Sequence, residues 1–169
     1  MVVVRPDFTQ KPNSTFQGFD MQRPDAVQFH LKASSKKQLL QKLSETFAQL
    51  TSQDERDIFD RLTERENLGS TGMGAGIAIP HARLKDIDRV YTIFATLDEA
   101  VDFTAIDEKP VDLVFALLAP QDAGADHLQA LAKASRLLRT ADFCARVRGA
   151  SSEDAVTSLI LNYEAQQAA

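Results

Sequence analysis

Residues 111 to 119, V-D-L-V-F-A-L-L-A, form a nearly unbroken apolar run that stops at Pro120. A run this short and this apolar reads as a strand covered on both faces, and the proline sets a firm boundary. A chain built on such a strand needs a layer of helices on each side of its sheet. The helical patterns are there. Ser35 followed by Gln38 resembles a capping box, and Leu39, Leu40, Leu43, Phe47 and Leu50 keep to one face, which predicts a helix over 36–50. Ser52 with Glu55 repeats the capping signature, and Ile58, Phe59 and Leu62 carry a second helix to about residue 66. Arg65 falls in its last turn, where a cation complements the helix dipole, and Gly69 is its stop. After Pro120, Leu128, Leu131, Ala132, Ser135 and Leu138 predict a third inward face, with His127 in the first turn of that helix. Thr140 is positioned to cap a short helix containing Phe143 and Val147 and closed by Gly149. Ser151 or Ser152 caps a last one, with Val156, Leu159 and Ile160 inward.

The remaining strands are shorter. Val27 to Leu31 alternates apolar and polar, leaving His30 on the polar side, and Ile77-Ala78-Ile79 is a brief apolar run. Val90 to Leu97 is β-branched and aromatic, Val101 to Phe103 is a short extended piece, and Asp107 to Pro110 is a turn. The expected fold class is therefore α/β, a three-layer α/β/α sandwich around a small mixed β-sheet. Residues 1–25 hold Pro6, Pro12 and Pro24 without sustained periodicity and are expected to be an extended or disordered arm, leaving 26–169 as one domain. A net charge of −5 with no basic block argues against nucleic acid as a partner. No apolar run approaches the roughly 18 residues of a membrane span. The single cysteine, Cys144, suits a reducing compartment, so the expected location is the cytoplasm.

The chemistry concentrates in residues 66–84, E-N-L-G-S-T-G-M-G-A-G-I-A-I-P-H-A-R-L. Four of the seven glycines, Gly69, Gly72, Gly74 and Gly76, fall within eight residues, so the backbone there needs positive φ or close approach at several points. Pro80 biases Ile79 towards an extended conformation, which places His81 at the end of a short strand beside a polar loop carrying Ser70 and Thr71. The glycines lack the Gly-Lys-Ser/Thr ending of a phosphate loop. A helix precedes them and a strand follows, the reverse of a dinucleotide fingerprint. Three scattered histidines and one cysteine make no metal cluster, and G-x-S-x-G is absent, so no cofactor, metal or serine hydrolase is expected. What the surroundings of His81 suit is attack on phosphorus by a neutral imidazole nitrogen. Backbone N–H groups of the glycine loop, Gly76 included, Ser70, Thr71 and a nearby guanidinium would then receive the phosphoryl oxygens.

G-S-T-G-M-G-A-G-I-A-I-P-H-A resembles the phosphorylation-site motif of the fructose/mannitol-type enzyme IIA domains of the bacterial phosphoenolpyruvate-dependent phosphotransferase system. With R-E-N-L before it and F-x-A-I-D-x-x-P-V-D-L-x-F-A-L-L after, it is most similar to the nitrogen-regulatory (PtsN-like) branch, over about residues 26–164. The resemblance implies a three-layer α/β/α fold and phosphoryl transfer to Nε2 of His81, without metal, from a phosphohistidine carrier (HPr or its nitrogen-branch counterpart NPr). It further implies His127 as the second active-site histidine and Arg65 as the phosphate-facing arginine. Such proteins regulate through protein contacts, with transporters, sensor kinases or transcription regulators as possible targets, and are system components rather than free-standing small-molecule enzymes. The alternatives are a sugar-specific subunit feeding a membrane permease and a non-phosphorylated interaction module of the same fold. In the first turn of a helix, the positive dipole end disfavours imidazolium, so His127 is expected to be neutral, with Arg65 as the fixed cation. Two departures stand out: the N-terminal arm, and Ala82 where many relatives have glycine.

Overall fold

A computed structural model describes residues 23–168. In chain order the elements are β1 (Ala26–Leu31), α1 (Lys36–Thr51), α2 (Glu55–Asn67), β2 (Gly72–Gly74), β3 (Ile77–Ala78), β4 (His81–Leu84), β5 (Tyr91–Val101), β6 (Val111–Pro120), α3 (Ala125–Arg139), α4 (Ala141–Arg148) and α5 (Glu153–Ala168). The expected arm lies outside the described residues as far as residue 22. From Asp25 onward the chain is held to the sheet. Asp25 exchanges backbone and side-chain hydrogen bonds with Thr92 and accepts from Arg89 Nη2 at 2.8 Å.

The sheet is mixed, with strand order β1-β5-β6-β3-β2 and β4 paired to β6 further along the same side as β3. β1 runs parallel to β5, β5 antiparallel to β6, and β3 and β4 both parallel to β6. The apolar run of β6 sits centrally and is buried nearly throughout, as a strand covered on both faces requires. Its alternate residues feed two cores. Leu113, Phe115, Leu117 and Ala119, with Phe94 of β5, pack against α3, α4 and α5. Val114, Ala116 and Leu118, with Ile93 and Ala95, pack against α1 and α2. The architecture is the three-layer α/β/α sandwich.

Several local expectations are corrected. The buried face of α3 consists of His127, Ala130, Ala134, Leu137 and Leu138, whereas Leu128 is 67% exposed. Counting leucines rotates the helix by one residue, about 100°. The two alanines decide the true face, because small side chains let α3 pack closely on β6. Ser52 ends α1 in the left-handed region (φ 58°), and it is Asp54 that accepts from Asp57 N to cap α2. The Thr140 hydroxyl donates back to the Arg136 carbonyl and makes no cap bond to α4. Arg83 and Leu84 are strand residues of β4, and Val101, expected in a separate extended piece, closes β5.

Candidate functional site

The glycine-rich segment folds into a hairpin. β2 and β3 are antiparallel, joined through Ala75 and Gly76 with φ of 56° and 79°, the pair of positive values a two-residue type I′ turn needs. A Cβ on Gly76 would lie 2.8 Å from Asp112 Oδ1 and 2.7 Å from Arg148 Nη2, so only glycine fits against that ion pair. The turn is tied down from both sides. Asp107 Oδ2 accepts from Ala75 N at 2.9 Å, and Arg148 Nη2 donates to Ala75 O at 2.8 Å.

Beyond the hairpin, Pro80 interrupts a single line of pairing along β6. Ile77 and Ala78 pair with Leu113 and Val114, and His81 and Ala82 with Leu117 and Leu118, in one unbroken register. The strand is thus cut without being shifted, since proline removes one donor and leaves the chain extended. His81 opens β4 rather than ending a strand. Side chains alternate along this line. Ile77 and Ile79 join the core under α3, and Ala78, Ala82 and Leu84 join the core under α1 and α2. By the same alternation His81 and Arg83 share the α3 side, where the first turn of that helix presents His127.

A cavity of about 330 Å³ opens there, lined by Arg61, Glu64, Arg65 and Leu68 of the α2 end, His81, Ala82 and Arg83 of β4, and His127 of α3. The two imidazoles meet edge to face, with ring centroids 5.5 Å apart. Their hydrogen bonds assign their protons. His81 Nδ1 lies 2.8 Å from the Ile79 carbonyl, which only accepts, so Nδ1 carries hydrogen and Nε2 of the neutral ring holds the lone pair. His127 Nδ1 lies 3.2 Å from Arg83 Nε, which only donates, so Nδ1 is the acceptor and the hydrogen of the neutral ring sits on Nε2. That Nε2 is buried and, among the described residues, has no hydrogen-bond partner. One ring therefore offers a nucleophile and the other an unused donor.

Both rings are held neutral. Burial pushes the pKa of His81 down, as does the nearby Arg65 guanidinium, against raising contributions from the Ile79 carbonyl and Glu66. His127 is lowered further, to about 4, by burial first and then by His81 and Arg83. The expected neutrality of His127 thus has desolvation as its main cause. Arg61 is offset by its ion pairs with Asp57 and Glu64, and the guanidiniums of Arg65 and Arg83 and the positive end of α3 give the cavity an anion-attracting character.

Of the residues singled out from the sequence, His81, His127 and Arg65 are brought together. Arg65 is anchored by Nη1 donating to Gly69 O at 2.9 Å. Ser70, Thr71 and Gly76 do not line the cavity. Ser70 Oγ donates to Phe103 O at 2.8 Å and accepts from Gly72 N, which braces the loop. The Thr71 hydroxyl donates to Glu66, and Gly76 sits at the hairpin turn against Asp112 and Arg148. Two contributors went unseen in the sequence. Arg83 was legible only once 81–84 is read as a strand, which puts it two residues from His81 on the same side. Glu66, 6% exposed, accepts from the Thr71 N–H and pairs with Lys36 Nζ at 2.8 Å, clamping the loop behind Arg65. No local pattern announces that pair.

Comparison with known proteins gives one consistent result. Residues 21–163 match the family model described as the phosphoenolpyruvate-dependent sugar phosphotransferase system, EIIA 2. The chain is 47% identical over 141 residues to a nitrogen regulatory protein of Bradyrhizobium diazoefficiens, covering 83% of this chain and 92% of that protein. It is 35% identical to the nitrogen regulatory protein of Escherichia coli K12, covering 90% and 94%. The crystal structure of nitrogen regulatory protein IIA-Ntr from Neisseria meningitidis superposes with a TM-score of 0.74 at 33% identity, over 80% of this chain and 92% of that one.

Proposed function

The chain belongs to the EIIA 2 family of the phosphoenolpyruvate-dependent sugar phosphotransferase system, and on that premise we propose that it is a regulatory phosphoryl carrier of the nitrogen-regulatory kind. Its phosphoryl acceptor is Nε2 of His81, its donor a cytoplasmic phosphohistidine protein of the HPr or NPr type. The observation that carries this reading is the pair of complementary tautomers: a lone pair on His81 Nε2 beside a buried, unpartnered N–H on His127.

In the transfer, the P–N bond of the carrier breaks and its electron pair returns to the carrier's imidazole. The lone pair of His81 Nε2 forms the new P–N bond. No proton has to leave His81. The ring becomes cationic, with hydrogen retained on Nδ1, and the Ile79 carbonyl stabilises that charge much as an acceptor supports any imidazolium formed during catalysis. The phosphoryl oxygens gain the Arg65 guanidinium and the His127 N–H, donors already in place before the charge arrives. Leu68 at the cavity and Leu128 beside His127 are largely exposed, apolar surface suited to docking a protein rather than a small metabolite. Phosphorylation places about two negative charges at this concave surface, and downstream proteins, transporters or sensor kinases, would read the change through docking.

The test is transfer from phosphorylated HPr or NPr to this protein and to its His81→Ala variant, read by intact mass and acid lability. One acid-labile phosphate on the wild type and none on the variant is expected. A folded wild type that no carrier labels would overturn the reading. Sugar-dependent discharge through a permease would identify a sugar-specific subunit instead.

A further inference from the structure

We propose that Arg83 is a positioning residue whose Nε–H fixes His127 in the Nε2–H tautomer, keeping its one free donor available to a phosphoryl group on His81. The inference rests on the phosphoryl-carrier reading for its purpose, though not for its geometry. A neutral imidazole in isolation distributes its proton between two nitrogens, and only the Nε2–H form serves a donor role here. An arginine has no acceptor and stays protonated, so a guanidinium nitrogen at 3.2 Å from Nδ1 admits a single tautomer. Among the described residues His127 has no competing partner: its buried Nε2 makes no hydrogen bond. A buried donor left unsatisfied is a cost that folded proteins normally avoid, which points to a role in another state of the site.

Arg83 is well placed for the task. It is an exposed residue on β4, two positions beyond His81 and on the same side of the strand, so one element carries both the nucleophile and the residue that orients its helper. The strand register with β6, Arg83 opposite Ala119, holds the guanidinium stem beside α3. Arg83 itself lines the cavity. Its role is thereby separable from that of Arg65, which bonds the Gly69 carbonyl and makes no contact with His127 through a hydrogen bond.

The experiment measures the His127 tautomer by ¹⁵N NMR of the imidazole in the unphosphorylated protein, for wild type, Arg83→Met and Arg83→Lys, alongside the rate of phosphoryl transfer from HPr or NPr. The wild type is expected to show the proton on Nε2. Arg83→Met should give a mixed tautomer population and transfer slowed in proportion to the Nε2–H fraction lost, about twofold at an even mixture. Arg83→Lys, which retains a donor, should recover part of both. A wild-type proton on Nδ1, a tautomer unmoved in Arg83→Met, or a shifted tautomer with an unchanged rate would each overturn the assignment. Because the tautomer is read without phosphate, a wild type that accepts no phosphoryl group defeats the carrier reading while leaving Arg83's hold on His127 separately decided.

Discussion

Acidification through the range where a buried histidine must take up a proton should destabilise this domain, chiefly at one residue. His127 is 7% exposed, and its pKa lies at about 4 against the ordinary 6.5. The folded pKa is depressed, so between those values the unfolded chain binds more protons than the folded one. The stability this group allows is complete above pH 6.5 and is lost as pH falls towards 4. At 1.36 kcal/mol for each pH unit, the full loss is about 3 kcal/mol, of which about 2 kcal/mol is already gone at pH 5. His81 is shifted the same way and adds to the effect. The assay is urea unfolding of wild type and His127→Asn at intervals from pH 8 to 4.5, taking the difference in unfolding free energy at each pH. Whatever the substitution costs at neutral pH, the wild-type advantage over it should fall by about 2 kcal/mol between pH 7.5 and 5. A flat difference curve would refute the reasoning, as would a ring titration of His127 near 6.5 in NMR.

The Lys36–Glu66 pair and the hairpin can be tested alongside. Lys36→Met leaves the Glu66 carboxylate buried against Thr71 without its cation, and should cost about 2 kcal/mol, less than a fully buried pair because Lys36 keeps some solvent. Adding Glu66→Gln should recover most of that in urea unfolding; no recovery would mean that the charge is not the cause. Gly72→Ala would bring a Cβ to 2.8 Å from Ala105 Cβ and 2.9 Å from Ala105 Cα, backbone that cannot swing aside. A loss of about 1–3 kcal/mol and a lower thermal midpoint are expected, and an unchanged midpoint would show that the 103–107 loop yields freely.

Much of the architecture was legible in the chain because burial leaves periodic traces. The β6 run demanded cover on both faces, the α1 leucines marked their own inward side, and the Gly-Pro frame marked His81. Where local periodicity misled, the cause was identifiable. Leucines of α3 point partly outward because Ala130 and Ala134 set the contact with β6, and small residues carry little weight in an apolar pattern. Ser52 looked like a cap because capping residues are also favoured where a chain turns, and here it closes the preceding helix. The polar loop residues Ser70 and Thr71 resembled phosphate ligands, yet their hydroxyls serve Phe103 and Glu66.

The sequence by itself determined the layers, the central strand and the glycine-framed position of His81, since each depends on residue type and spacing within one segment. Only the tertiary structure decided what surrounds that histidine. Arg83 and His127 lie 44 residues apart, and Lys36 and Glu66 sit on different helices. Hydrogen-bond direction and desolvation arise from what is adjacent in space, and strand register and helix rotation, rather than any local pattern, bring those groups together.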